Sequence, residues 1–572
     1  MNPRAHSVDD ELTNAALVVI CAAVVMALLL RGAGSIAALI SGSERPTGSA
    51  TSGLRVLTQP DSPDAALGAR GLSMSAYWGV VLFLVAILAA ALWATWLVVA
   101  RAQHRSAHDP RRIRGTATAR DIDAVASEKA LLRRARTLRP SLTHPRAADV
   151  GYLLGKSHGR GIWASVEDSI LVIGPPRSGK GLHLVINAIL DAPGAVVTTS
   201  TRPDNIAATM RARHARGPVA VFDPQRLTAG LNVVHSAGVR WSPIRGCEDP
   251  LTAMVRATGL ASSTGLSSGG TESGSFWEGR ARAVLQALLH AAALDHLPTR
   301  MLYEWSLSAN AAMDAVGILS SDPSAAPGWA DSLTSMITSD PRTRDSIWMA
   351  VSQAMACLAD PRVLEAVSPA PGEEFDPTDF LTNNGTLYLL ATGAGAGAAW
   401  PLVAAFVEDL TETARHLAAG APATRLDPPV LLALDEIGNL APLPSLPILM
   451  AEGGGTGITT MAVLQSLSQA RSGWGEHAAS AIWDASIAKV VLGGASASKD
   501  LQELSVLIGE RDEPSDSITI SDYGTRSIQR STRQRHIMPP ERIRMLPFGT
   551  GLVLLRSAPP IVTDLRPWQP QR

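Results

Sequence analysis

Residues 174–181 read Gly174, Pro175, Pro176, Arg177, Ser178, Gly179, Lys180, Gly181. The spacing G-x-x-x-x-G-K is that of a loop that cradles phosphates. Gly174 and Gly179 let the backbone curl so that successive N–H groups converge on an anion. A helix starting near Lys180 adds the positive end of its dipole, and Lys180 itself adds a point charge for the outer phosphates. Lysine is scarce here: the chain has five, Lys129, Lys156, Lys180, Lys489 and Lys499, and one of them fills this slot. The residue after the lysine is Gly181. A Ser or Thr there would offer a hydroxyl to a metal ion, so a cation at this site depends on other ligands or water. The bland alternative is a Gly/Pro turn between a strand and a helix.

A second chemical stretch is the apolar run 430–434, which ends in Asp435 and Glu436. Two adjacent carboxylates at a buried strand end are costly unless a cation faces them. Beside a phosphate loop, the first acid has the position that holds Mg²⁺ or its water. The second has the position that polarises an attacking water, a general-base role. Another strand, 457–464, leads into Gln465 and Ser466. An amide there is placed to sense a terminal phosphate, or is simply a solvated strand-end glutamine. The phosphate reading requires Lys180 to stand within a nucleotide's length of both acids, on one edge of one sheet.

These groups need a scaffold, and the pattern around them supplies one. Strand-like runs at 170–173, 195–199 and 219–222 alternate with helix-like patterns at 182–190 and 205–213. Such alternation implies right-handed βαβ units and a parallel sheet. Asp204 and Asp223 follow the second and third of these strands, at carboxyl ends, where open α/β sheets hold ligands. From 250 to 372 the strand signals fade into helical patterns at 250–260, 275–295, 299–317, 329–337 and 343–358, with a Ser/Gly-rich loop at 262–275. This reads as an all-α insertion. Strands resume at 385–391, and the turn 392–398 is glycine-rich without a lysine. Final strands are expected at 487–493 and 551–555. Residues 512–536 are polar and carry Arg526, Arg530, Arg533 and Arg535, which reads as a mobile loop, either solvated or set against nucleic acid phosphates.

Composition bounds the rest. A chain of 572 residues implies several domains. A net charge of −1 gives no global pull on nucleic acid. Cys21, Cys247 and Cys357 are scattered without metal spacing, which excludes a disulfide framework or a zinc site from the expectations. Apolar residues make up 46%, and mean hydropathy is positive. The excess lies in two N-terminal runs. Residues 12–30 reach the ~20 apolar residues of a spanning helix, and 77–100 is uncharged with Trp and Tyr at or near its ends. An acidic start and a second apolar run disfavour a cleaved signal. Arg101, Arg105, Arg111, Arg112 and Arg114 follow the second run, so positive-inside bias places both termini in the cytoplasm and a short loop at 41–70 outside. Residues 111–150 read as a linker. The expected organisation is a membrane anchor at 1–110, that linker, a nucleotide-binding domain at 151–249 and 373–572, and the insertion at 250–372.

The chain resembles the TraG/TraD-type coupling proteins of conjugation and type IV secretion. The likeness is carried by the two spans and by GPPRSGKG at 174–181, VVTTSTRPD at 196–204, VAVFDP at 219–224, FWEGRARAVLQALL at 276–289, DPTDFL at 376–381, TLYLLA at 386–391, LLALDEIGNLAPLPSLPILMAEGGGTGI at 431–458, VLQSLSQ at 463–469 and MPPERIRMLPFGTGLVLL at 538–555. It implies an α/β, RecA-like P-loop ATPase domain with an all-α insertion, preceded by two transmembrane helices. It also implies a homo-hexamer in the bacterial inner membrane that receives relaxase-bound DNA and drives it to a secretion channel. ATP and Mg²⁺ are the implied cofactors, and single- or double-stranded DNA, relaxosome proteins, channel components and the membrane are the implied partners. By carry-over, 174–181 holds phosphates, Asp435 supports the metal, Glu436 activates water and Gln465 couples to the γ-phosphate. Some relatives place a trans-acting arginine shortly after the second acid. Residues 452–457 have none here, and Arg471 is the nearest candidate. Two other classes remain open: a substrate-receptor scaffold that uses ATP for assembly only, and an FtsK-like DNA motor or protein-export motor.

Overall fold

The structure, a computed structural model, describes residues 8–49, 51–107, 109–228, 238–262, 272–392, 398–438, 442–520 and 526–569. The chain divides into two compact units, Met1–Asp109 and Pro110–Arg572.

The first unit is built on two 34-residue helices, Val8–Ser41 and Met74–Ala107. Within them, Ile20–Ser41 and Met74–Leu97 are long and apolar enough to cross a membrane. The first differs from the expected 12–30, because the helix runs straight through Arg31. The guanidinium is absorbed locally: it donates to the carbonyl O of Gly48 at 2.9 Å and of Pro46 at 2.6 Å, and to Ser35 Oγ at 2.9 Å. The segment 41–70 is not a bare loop. It forms short helices at Ser52–Thr58 and Pro63–Leu67, with Val56 and Leu67 buried.

The second unit is organised by its strands: β1 (Gly151–Ser157), β2 (Arg160–Ser165), β3 (Ile170–Ile173), β4 (Val196–Ser200), β5 (Val219–Phe222), β6 (Thr386–Leu390), β7 (Val430–Leu434), β8 (Ile458–Leu464), β9 (Ala488–Leu492), β10 (Glu510–Ile520), β11 (Arg526–His536), β12 (Thr550–Leu555) and β13 (Ile561–Leu565). Eleven form one sheet in the order β2-β1-β13-β12-β9-β3-β8-β7-β4-β6-β5. The stretch from β9 to β5 is parallel, and the wing from β2 to β12 is antiparallel and joins β9. Strands β3, β4, β6, β7 and β8 are buried along their whole length. That explains their near-continuous apolar runs, since a parallel sheet is covered on both faces.

Three parts depart from the sequence reading. Residues 115–150 are not a linker but short helices whose Ile122, Leu131 and Leu138 are buried in the same core as β1 and β3. Where a loop is expected at 512–536, the described residues form a two-stranded antiparallel ribbon, β10 with β11, in register from Glu510 opposite His536 to Ile520 opposite Arg526, and residues 521–525 lie outside the described residues. The pattern at 299–317 is two helices, Thr299–Leu307 and Met313–Ser321.

Between β5 and β6 the described residues form helices, including Pro250–Ser262, Glu272–Leu294, Trp329–Ile337 and Pro341–Met355. This helical body is locked to the sheet's own covering helix, Trp400–Gly420. Arg256, 1% exposed, pairs with Asp409 at 2.7 Å. Trp241 Nε1 donates to the same carboxylate at 2.9 Å, and the guanidinium lies over the Trp241 ring at 4.9 Å. A buried charge needs such a partner, because an unpaired one costs several kcal/mol.

Candidate functional site

The phosphate loop begins where β3 ends, and its curl is enforced by its glycines. Gly179 has φ +90, and a Cβ there would lie 2.7 Å from His183 and 3.0 Å from Phe548. A Cβ on Gly174 would lie 2.6 Å from Ser178 Oγ. No other residue fits either position without displacing neighbours. Arg177 also takes a left-handed conformation, φ 63, which turns the chain back before the helix. That helix opens with a wide turn, Gly181–Val185, and continues as Ile186–Asp191. A Cβ on Gly181 would meet nothing within 4 Å. The missing hydroxyl is thus a matter of sequence and not of crowding.

Lys180 Nζ donates into its own loop, to the carbonyl O of Gly174 at 2.6 Å and of Pro175 at 2.9 Å. Burial pushes its ammonium below the usual lysine range, while the charges of Asp435 and Glu436 act to hold it up. Those two acids stand at the tip of β7, with β8 between β7 and β3. All three strands are parallel, so the loop and the acids share one carboxyl edge. The register puts Ile173 beside Leu464, and Leu434 beside Ala462. Two strand spacings amount to roughly 10 Å, which is the breadth of a triphosphate with its cation.

Asp435 is half-buried at the tip of β7. Its carboxyl is pushed up to about 6, first by burial and then by the neighbouring Glu436 charge, against the Asn205 hydrogen bond and the Lys180 charge. Asn205 Nδ2 donates to its Oδ2 at 3.3 Å, the Glu436 N–H to its Oδ1 at 3.1 Å, and Thr199 Oγ1 to its carbonyl O at 3.0 Å. Glu436 has φ 53. A non-glycine residue there costs on the order of 1–3 kcal/mol and persists where the surroundings impose it. The Thr201 hydroxyl donates to Glu436 Oε2 and fixes the direction of that carboxylate.

The residues fit a nucleotide with its metal. Ser178 Oγ is buried inside the loop with no hydrogen-bond partner, an orphan that a phosphate oxygen would satisfy. The paired acids favour a cation, since burial first and the adjacent Glu436 charge second raise Asp435. Among the described residues no group of three or more His, Cys, Asp or Glu forms a metal cage. A cation here would draw its remaining ligands from phosphate and water, as Mg²⁺ does.

Other expected positions fall elsewhere. Gln465 follows β8, between the loop and the acids, but its neighbourhood is a separate cavity of about 260 Å³ that it shares with Pro175, Pro176, Trp483 and Leu504. Its N–H donates to Gln469 Oε1 at 2.8 Å. Asp204 is exposed and paired with Arg202. Asp223 closes its own turn, accepting from the N–H groups of Leu227 and Thr228 at 2.8 Å each. Neither joins the acids. Arg471 is bound within its own chain to Asp500 and Glu503 at 2.8 Å each, and to Glu476 at 3.3 Å. Thr199, Thr201 and Asn205 had no sequence signal beyond lying at or just after the end of β4, which the topology places next to β7. Residues 263–271, 393–397 and 439–441, which include most of the expected loop at 262–275 and glycine-rich turn at 392–398, lie outside the described residues.

The family of type IV secretory system conjugative DNA transfer proteins matches residues 121–565. The chain belongs to that family. No curated protein matches it in sequence. Among solved structures, the unbound monoclinic form of the bacterial conjugative coupling protein TrwBdeltaN70 is similar at TM-score 0.55 and 18% identity, over 78% of this chain and 93% of that one. The plasmid coupling protein TrwB in complex with the non-hydrolysable GTP analogue GDPNP is similar at TM-score 0.55 and 18% identity, over 78% and 94%. TrwB in complex with ADP and Mg²⁺ gives TM-score 0.53 and 17% identity, over 78% and 94%. At these identities the likeness establishes a shared fold.

Proposed function

We propose that this chain is the coupling ATPase of a conjugative type IV secretion system, with one Mg²⁺–ATP held between the Lys180 loop and the Asp435–Glu436 pair. The observation that carries the reading is their placement at the tips of strands two apart, on one sheet edge, with mutual charge coupling. TrwB, whose fold it shares, is bound by GDPNP, by ADP with Mg²⁺ and by an ATP analogue.

The chemistry follows from the residues. Gly174, Pro175, Pro176, Arg177, Ser178, Gly179, Lys180 and Gly181 surround the phosphates. Lys180 exchanges two loop carbonyls for phosphate oxygens and neutralises charge that builds on them during transfer. Asp435 would hold the metal ion, and bound Mg²⁺ would supply positive charge to offset that of the phosphates. Glu436, held by Thr201, takes the proton from the attacking water. Gln465, which follows β8, is our candidate for coupling to the γ-phosphate. The organisation we favour is an anchor at 1–110, a motor domain at 151–249 and 373–572 joined by the folded helices of 115–150, and an all-α insertion at 250–372. The two apolar helices, each long enough to cross a membrane, support a multi-pass place in the inner membrane. A homo-hexamer handing relaxase-bound DNA to the secretion channel completes the proposal. The trans-acting arginine stays unassigned, because Arg471 is already paired in its own subunit.

The test is phosphate release by the full chain in detergent, with and without DNA. Hydrolysis that rises several-fold with DNA is the expected result. Tight nucleotide binding with no turnover under any condition would overturn it and favour a receptor that uses ATP for assembly only.

A further inference from the structure

One exposed aromatic stands at the mouth of the phosphate loop. Phe548 is 68% exposed, although burying a phenylalanine is worth ~1.5–3 kcal/mol. Its ring edge lies so close to Gly179 that a Cβ on that glycine would be 3.0 Å from Cε2 and 3.1 Å from Cζ. It also meets the His183 ring edge-on, centroids 5.2 Å apart. The ring is therefore fixed against the phosphate loop on one side and open on the other.

The backbone is shaped to present it. Residues 547–550 form a tight turn in which the Thr550 N–H donates to the Pro547 carbonyl O at 2.9 Å, with Gly549 at φ +80. Glycine at the third position of such a turn is what its geometry demands. Leu546 and Leu552 on either side are buried, so the turn cannot swing. On the same flank, the Trp568 N–H donates to the carbonyl O of Leu182, the residue after Gly181, at 2.9 Å. Asn187 of the loop's helix donates to the Arg566 carbonyl O at 2.7 Å.

Topology decides what such a ring faces. The acids lie two strands from β3 on one side, through β8 to β7. The Phe548 turn leads into β12, two strands from β3 on the other side, through β9. Because β12 runs antiparallel to β9, its start lies at the same carboxyl edge. A triphosphate with its terminal phosphate at the acids must run past Lys180 and Gly181 and emerge on the Phe548 side. What emerges there is ribose and base, and a base has an apolar face that stacks on aromatic rings.

We propose that Phe548 is the platform on which the base of the bound nucleotide stacks; this rests on the phosphate reading of 174–181. Stacking tolerates any base, so the platform tightens binding without selecting adenine over guanine.

The experiment compares two ligands on the full chain in detergent: a non-hydrolysable ATP analogue and inorganic tripolyphosphate, each with Mg²⁺. Phe548→Ala is expected to weaken the analogue about tenfold and to leave tripolyphosphate unchanged, while Phe548→Trp keeps the analogue's native affinity. Equal loss of both ligands would overturn the platform, since the ring would then only support the loop. Unchanged analogue binding with lost self-association would also overturn it, marking Phe548 as a contact between copies of this chain. If the native chain bound neither ligand, the phosphate reading would fail and the platform with it. If tripolyphosphate bound and Phe548→Ala had no effect on the analogue, the platform alone would fall.

Discussion

Lys180→Ala is expected to abolish ATP hydrolysis, a loss of at least about 10²-fold. The ammonium has two jobs in this geometry. On the proposed reading it would be a fixed positive charge beside the phosphates, and it feels the charges of the Asp435–Glu436 pair across β8. Alanine removes both, so the acids meet the triphosphate's charge uncompensated. The fold should survive, because the lysine's hydrogen bonds, each worth about 1.5–3 kcal/mol net for a charged donor, go to carbonyl oxygens of its own loop and tie no distant elements together. The measurement is phosphate release beside a thermal melt. A variant that melts like the native chain yet turns over at the native rate would remove Lys180 from the chemistry.

Glu436→Gln is expected to stop turnover while sparing binding. A positioned general base is worth roughly 10²–10⁴-fold, and glutamine keeps the shape without the proton acceptor. Its effect on Asp435 runs the other way. Asp435 is raised to about 6 by burial first and by the Glu436 charge second. Taking away that charge lowers the Asp435 pKa, so the carboxylate is more fully ionised at neutral pH and holds the metal at least as well. Binding and hydrolysis must therefore be measured separately. Loss of both together would mean that Glu436 serves the metal and not the water.

The parts of the site that sequence revealed are those in which chemistry dictates residue type. Lys180 between tight glycines, and two acids ending an apolar strand, are costly arrangements with few structural uses. The supporting shell was invisible for the opposite reason. Thr199 and Thr201 at the end of β4, and Asn205 in the first turn of the helix that follows it, are ordinary polar residues, and only the pairing of β4 with β7 brings them to the acids. Asp204 and Asp223 looked equally promising by position, but one points to solvent and the other satisfies its own turn. The parallel strands were legible because full burial makes them continuous apolar runs. Strands β1 and β2 were not, since Gly151, Gly155 and Gly161 interrupt the alternation on which a half-buried strand is recognised. The helices of 115–150 were hidden by their arginines. Spaced Ile122, Leu131 and Leu138 carry the burial while Arg133, Arg134 and Arg136 face outward. The ribbon β10–β11 escaped because its sequence is mostly polar and charged, and its pairing is a matter of backbone register.

Strand β1 has β13 as a neighbour, in antiparallel register with Gly155 opposite Leu565. A chain leaving the ribosome thus exposes β1 long before the strand that flanks it exists. At roughly 5–20 residues per second, the interval is tens of seconds, during which the apolar N-terminal helices have already emerged. The edge of β1 awaiting β13 is an open template for foreign strands. Expression at low temperature or with abundant holdase chaperones is therefore where this protein's yield should be most sensitive.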